Sequence, residues 1–243
     1  MHALYPPALI ATLAAIAALA GTAKGLTGFG GALVMAPLYS LLIAVPDAGV
    51  LIVLVHAATS LQGVRQWRVH AGWRSVAPLG VVAVLCAGAC ALALARVDVH
   101  AARRLVACAV LATTVLHIAG WRWRHRGSWL PTFGAGLASG ALTALGGLGG
   151  PPAFYYFAGN ADGPALRANL LGFFALLFCG SAVVLAVEGR VSAAHLATAV
   201  WLLPPFALGV EAGERIGQRL PARWFDRAVS TLLLASGVVA LVF

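Results

Sequence analysis

The stretch GLTGFGGALVMAP, Gly25–Pro37, decides how this chain is read. Four glycines and a proline interrupt an apolar run, directly after Lys24, the only lysine of the sequence. In hydrocarbon an unpaired backbone group costs several kcal/mol. Non-helical backbone is therefore tolerated there only where it is buried in protein or lines a wet cavity. A glycine break beside a lone cation is thus a candidate ligand site, provided the surrounding chain lies in a membrane.

Composition supplies that condition. Of 243 residues, 61% are hydrophobic and 9% charged, with a mean hydropathy of +0.93, against roughly 25% charged residues in an average soluble domain. Apolar stretches near the ~20 residues needed to cross a bilayer recur along the whole length, and no polar region is long enough for a soluble domain. The chain is expected to be one membrane domain, 1–243. Its +9 formal charge is carried by arginines in short loops between apolar runs. That distribution reads as topology, not as a nucleic-acid patch. Cys86, Cys90, Cys108 and Cys179 fall in apolar segments without metal-ligand spacing, so they read as packing residues, and neither a metal nor a cofactor is expected. The apolar run Ala8–Ala20 followed by GTA imitates a signal peptide but lacks a Lys/Arg region before it.

GLTGFGGALVMAP has an echo in GALTALGGLGGPP, Gly140–Pro152. Both lead through small residues into Gly-x-Gly-Gly, at Gly28–Gly31 and at Gly147–Gly150, 119 positions apart. A second pair, VDVHAARRLV (Val97–Val106) and LPARWFDRAV (Leu220–Val229), lies 123 apart. Two matches at nearly one spacing predict two homologous halves, about 1–122 and 123–243. Removal of a signal peptide would destroy one member of the pair. Each half reads as one glycine-broken segment and three plain helices. The first has Ala8–Val45 (broken), Ala48–Gly63, Val76–Ala95 and Ala101–Gly120. The second has Trp129–Ala158 (broken), Leu166–Val187, Ser192–Val210 and Ala228–Phe243. Pro204 and Pro205 are expected to bend their helix. Period-two alternation is absent, so helices rather than barrel strands are indicated.

Loop charge separates two topologies. If a broken segment crosses once, seven Lys/Arg (Arg65, Arg68, Arg74, Arg122, Arg124, Arg126, Arg190) face eight (Arg96, Arg103, Arg104, Arg167, Arg215, Arg219, Arg223, Arg227). That gives no orientation. If it re-enters or spans twice, eleven (Arg65, Arg68, Arg74, Arg122, Arg124, Arg126, Arg167, Arg215, Arg219, Arg223, Arg227) face four (Arg96, Arg103, Arg104, Arg190), which obeys the positive-inside rule. Each half then crosses an odd number of times. The halves are inverted, as in secondary transporters with discontinuous helices.

A half-helix that starts after such a break presents free N–H groups and a positive dipole end to an anion. Pro151 and Pro152 suit the first turn. Lys24 adds positive charge, in a place where a cation costs about 2.5–3.5 kcal/mol on insertion scales, and no carboxylate is apparent within the core. Candidate anion-binding residues are Lys24, Gly28, Gly30, Gly31, Gly147, Gly149 and Gly150. A methyl on Gly30 or Gly149 is expected to block close approach and to meet a positive φ. Two plainer readings stand beside these: the glycines only pack helices, and Lys24 snorkels to an interface. His56 and His117 are candidates for proton coupling, or hydrogen-bonded packing residues. Thr27, Thr59, Ser60, Gln62, Thr143 and Ser181 read as interhelical hydrogen-bond formers unless they face a cavity.

GLTGFGGALVMAPL, its echo GALTALGGLGGPPAFYYF, and the ending RLPARWFDRAVSTLLLASGVVAL together resemble the TauE/SafE family, the sulfite exporters of prokaryotes. The resemblance covers nearly the whole chain. It implies movement of sulfite, sulfoacetate or a related anion across the cytoplasmic (inner) membrane, with glycine motifs at the core of each half, here Gly28, Gly30, Gly31 and Pro37, and Gly147, Gly149, Gly150 and Pro151. The bulky run Phe154–Phe157 departs from the aliphatic run expected there. The partners expected are a small anion and the lipid bilayer, with a second copy of the chain as a candidate and no nucleic acid. No enzyme is expected, because converging acids, bases or metal ligands are lacking. An uncoupled anion channel is the near alternative.

Overall fold

The computed structural model describes residues 5–28, 30–62, 64–94, 108, 115, 129–147, 149–161, 163–217 and 231. Regular structure among them is helical throughout: α1 Pro7–Thr27, α2 Gly31–Leu42, α3 Val45–Ser60, α4 Val64–His70, α5 Trp73–Leu94, α6 Trp129–Gly146, α7 Gly150–Ala158, α8 Gly163–Val187 and α9 Ala193–Gly217. Four of them, within Pro7–Leu26, Trp73–Leu92, Gly163–Val187 and Ala193–Gly217, are long and apolar enough to cross a membrane, and α2 and α3 are shorter apolar helices. The chain is an all-α, multi-pass membrane protein. His117, the loop Trp121–Ser128, and all but isolated residues of Ala101–Gly120 and Ala228–Phe243 lie outside the described residues.

The helix ends follow local chemistry. Pro7 opens α1 with its φ already set. Gly28 closes it at φ 82°, its N–H bonded to the Lys24 carbonyl at 2.7 Å. Gly147 does the same for α6, with φ 76° and its N–H 2.7 Å from the Thr143 carbonyl. The left-handed residue is thus the first glycine of each Gly-x-Gly-Gly. Gly30 and Gly149, expected at positive φ, stand instead at −66° and −65° and lead directly into α2 and α7. Pro46 and Asp47 sit in the first turn of α3, so that helix starts ahead of the apolar run. Ser192 Oγ accepts the His195 N–H at the start of α9. α9 continues through Pro204 and Pro205 and carries Glu211, Glu214 and Arg215 beyond its apolar part.

Contacts between helices give their directions. On α1 and α9, a Cβ added to Gly21 would overlap the Phe206 carbonyl, and one on Gly25 the Val210 carbonyl; conversely Gly209 faces the Ala18 carbonyl and Gly213 the Thr22 carbonyl. Numbers rise together, so the two helices are parallel, with backbones pressed together through glycines four apart. α5 and α6 meet in the same way, Gly136 against Val82 and Gly140 against Ala83 and Cys86. α5 and α8 are parallel as well, Gly80 lying against Leu176 and Gly180 against Val84. α3 runs with α9, Asp47 bonding His195 and His56 packing on Phe206. α2 turns back along α1, placing the Tyr39 hydroxyl 2.9 Å from the Leu13 carbonyl. α1, α3 and α9 therefore point one way, and α5, α6 and α8 the other, with α3 meeting α8 where Cys179 Sγ reaches the Ala57 carbonyl.

Two ends of the bundle are defined by polar contacts. At one, Tyr5 donates to Asp47 Oδ2 (3.0 Å) and His195 Nε2 meets Asp47 Oδ1 (3.2 Å), joining the starts of α1, α3 and α9. Burial, and then the hydrogen bond and charge of Asp47, push the Tyr5 hydroxyl well above the usual phenol range. At the other end, Arg167 at the start of α8 pairs with Glu214 near the end of α9 at 2.6 Å. The Gly72 N–H donates to Asn169 Oδ1 at 2.7 Å, bringing the α4–α5 turn to the same end.

Candidate functional site

Lys24 lies one turn before the end of α1 and is 6% exposed. Its Nζ donates to Thr59 Oγ1 on α3 at 3.3 Å and stands 5.5 Å from the centre of the Phe206 ring on α9. The Thr59 hydroxyl hydrogen is used on the Val55 carbonyl at 2.8 Å, leaving its oxygen free to accept. One of the three ammonium donors is thus matched. No carboxylate among the described residues is within ion-pair distance of Lys24; the ion pairs of Glu211, Glu214 and Glu188 are made with arginines and that of Asp47 with His195. The ammonium is turned inward, into the junction of α1, α3 and α9.

His56, 2% exposed, sits one turn before Ser60 on α3. Its Nδ1 is 2.9 Å from the Ile52 carbonyl. A carbonyl only accepts, so Nδ1 carries the hydrogen, and in the neutral ring Nε2 is a bare acceptor. Nε2 is buried without a hydrogen-bond partner. Phe178 and Phe206 flank the ring, with centroids at 4.7 and 4.9 Å. A Cβ on Gly31 would come to 2.8 Å from Nε2 and to 3.2 Å from both Lys24 Cβ and Phe206 Cζ. The first residue of α2, the imidazole, the lysine and the phenyl ring converge on one point because residue 31 has no side chain.

The second break approaches the same face of α3. A Cβ on Gly147 would lie 2.8 Å from Ile52 Cγ2 and 3.5 Å from Ala32 Cβ, and Ile52 is one turn from His56. The two breaks differ in chemistry. Thr143 holds the place that Lys24 holds in the first, four residues before the positive-φ glycine, with its hydroxyl bonded to the Ser139 carbonyl at 2.7 Å. A Cβ on Gly149 would overlap that hydroxyl oxygen. The first turn of α7 is Gly150-Pro151-Pro152, and two of those three residues have no N–H. The first turn of α2 is Gly31-Ala32-Leu33, and it has all three, with no side-chain cap on them. Charge and backbone donors are thus concentrated at the first break.

Gly28 has open space around its would-be Cβ, so close packing is not its role; the glycines that pack helices, among them Gly21, Gly25, Gly80, Gly136, Gly140, Gly180, Gly209 and Gly213, lie elsewhere. His117 lies outside the described residues. Reading the sequence missed Phe178, Phe206 and Ile52 as neighbours of the break. Thr59 carried one usable signal, its position three residues after His56, which places both on one helix face. Phe157, from the unexpectedly bulky second motif, packs on Phe173, which continues through Phe174 and Phe178 to His56 as an unbroken series of ring contacts. The run that departs from the aliphatic pattern thus connects to the wall of the site.

A family model described as Sulfite exporter TauE/SafE matches residues 13–240. No curated protein and no solved structure matches the chain.

Proposed function

The chain belongs to the TauE/SafE sulfite exporter family, and on that premise we propose a secondary transporter that exports a small sulfur-containing anion, sulfite or an organosulfonate, across a prokaryotic cytoplasmic membrane. The observation that carries this reading is Lys24: a buried ammonium with one hydrogen bond and, among the described residues, no ion pair, beside the start of α2, which has no side-chain cap. An anion there would meet the unused ammonium donors and the N–H groups of the first turn of α2, behind Gly28 and Gly30. Gly147, Gly149 and Gly150 would form the opposite wall, contributing close approach more than charge.

The architecture we propose is two inverted halves, about 1–122 and 123–243, each opening with a glycine-broken, re-entrant pair of helices. Support comes from direction. α1 and α3 run opposite to their counterparts α6 and α8, and α5 opposite to α9. Packing supports it too, since α1 lies on α9 as α6 lies on α5. The α1–α2 pair begins and ends at the Asp47 end. Arg65, Arg68, Arg74, Arg167 and Arg215 gather at the other end, against Arg190 at the Asp47 end, so the arginine-rich end is assigned to the cytoplasm. Coupling to protons would involve His56.

Flux into proteoliposomes, measured over sulfite, sulfoacetate, sulfate and thiosulfate with and without a proton gradient, tests the function. Saturable movement of sulfite or sulfoacetate that responds to the gradient is expected. Saturable movement that ignores it would make the protein an uncoupled facilitator. No movement of any of the four would refute the assignment.

A further inference from the structure

The site contains one group that an anion alone would not call for. His56 Nε2 is a hydrogen-bond acceptor, fully buried, unpartnered, and directed at Gly31, the residue where α2 begins. Its lone pair is fixed by the Nδ1–H bond to Ile52 and cannot be turned away without breaking that bond and the ring contacts with Phe178 and Phe206. A lone pair repels a bare anionic oxygen and attracts an O–H. Leaving it unpaired costs about 1–3 kcal/mol.

We infer that the first glycine break selects an oxyanion that carries its own proton: a hydrogen-oxyanion such as hydrogensulfite, whose charged oxygens lie toward Lys24 and the N–H groups of α2 while its O–H donates to His56 Nε2. The inference rests on the reading of this break as the anion site. It assigns the travelling proton to the substrate, with His56 as the residue that detects it. Anion and proton then cross together without a separate proton carrier. An organosulfonate, which has no such proton near neutral pH, is bound by the same ammonium and N–H groups but leaves Nε2 unpaired, and so binds more weakly than hydrogensulfite.

The other groups around His56 leave this assignment intact. Lys24 reaches the site from α1, and Cys179 from α8 is engaged with the Ala57 carbonyl. Glu214, beyond Lys24 on α9, is held by Arg167. Among the described residues, α9 presents Phe206 to the ring and α2 presents Gly31, neither of them titratable.

The test is calorimetric binding to the full chain in lipid nanodiscs, with oxygen excluded, using sodium sulfite and sodium methanesulfonate as probes across the pH range in which hydrogensulfite becomes sulfite. Wild-type affinity for total sulfite should fall about tenfold per pH unit once the dianion dominates, because only the protonated fraction is competent, while affinity for methanesulfonate stays level. His56→Phe keeps a ring between Phe178 and Phe206 but has no acceptor. It should bind hydrogensulfite and methanesulfonate alike, whereas His56→Gln, with an amide oxygen, should retain part of the preference. Sulfite binding that is unchanged or tighter at high pH would overturn the proposal. So would methanesulfonate binding that weakens in parallel with sulfite, since the proton would then belong to the protein, or a preference for hydrogensulfite that survives in folded His56→Phe. If wild type binds neither probe at any pH, the anion site itself is refuted and the proposal with it.

Discussion

Lys24 is a buried ammonium that, among the described residues, has one hydroxyl partner and no ion pair, and on the proposed reading its unused donors and the residues around it let an anion come close. Gly31 and Gly28 differ in what surrounds them, and substituting each should affect anion binding differently. Gly31→Ala has no backbone objection, since residue 31 is helical, but its methyl would occupy the space between His56 Nε2, Lys24 and Phe206. Anion binding should be lost, and because the buried imidazole, lysine and phenyl ring must shift to admit the methyl, the melting temperature should fall as well. Gly28→Ala meets open space but requires a left-handed alanine, at a cost of about 1–2 kcal/mol. It should melt earlier while the folded protein still binds. Melting curves and anion titrations on the same two purified variants check both; a Gly31→Ala protein that binds normally would place the site elsewhere. Lys24 was legible in the sequence as the single lysine in an apolar run. Which glycine takes the positive φ was not, because Gly-x-Gly-Gly does not say where the preceding helix ends. The hydrogen bond from Gly28 to the Lys24 carbonyl determines that.

At the scale of elements, the long apolar helices could be read from hydropathy because the bilayer demands their length, and their polar ends could not, because a helix that leaves hydrocarbon stops announcing itself. α9 runs two turns past Val210 for this reason, and α4, basic and short, was hidden in a loop between apolar runs. The glycines that join α1 to α9 were also missed: Gly21 lies before the conspicuous motif, Gly25 at its first position is overshadowed by the Gly-x-Gly-Gly that follows, and Gly209 and Gly213 sit apart from either motif. Their role predicts a graded response. Gly209→Val forces a side chain into the Ala18 carbonyl and should destabilise the bundle by about 1–3 kcal/mol or more. Gly49→Ala, inside α3 with nothing within 4 Å of the new methyl, should stabilise it by about 0.5–1 kcal/mol. Thermal melting of both variants in one detergent checks the contrast. Equal effects would mean that the α1–α9 contact is not close-packed through backbone.

For the whole molecule, the two glycine motifs raise the expectation of a duplication, and the helix directions bear on how two such copies would be related, since a motif carries no sense of up or down. The inverted reading makes a prediction about sidedness. Arg68→Cys on α4 should react with a membrane-impermeant thiol reagent only from the cytoplasmic side, and Arg190→Cys, between α8 and α9, only from outside, in a background without Cys86, Cys90, Cys108 and Cys179; labelling of both from one side would reject it. The inequality of the breaks matters more for function. Lys24 and three backbone donors stand at one break, and Thr143 and two prolines at the other. On the inverted reading, a pair of breaks with one charged member would form a single anion site served from both halves, and removing that charge should then disable the whole protein. The direct measurement is saturable flux of radiolabelled sulfite into proteoliposomes holding equal amounts of wild type, Lys24→Arg and Lys24→Met. Loss of one charge-assisted contact corresponds to about tenfold to a hundredfold in affinity, so Lys24→Met should lose at least that much while Lys24→Arg keeps part of it. Wild-type flux in folded Lys24→Met would contradict the claim that this buried ammonium holds the anion.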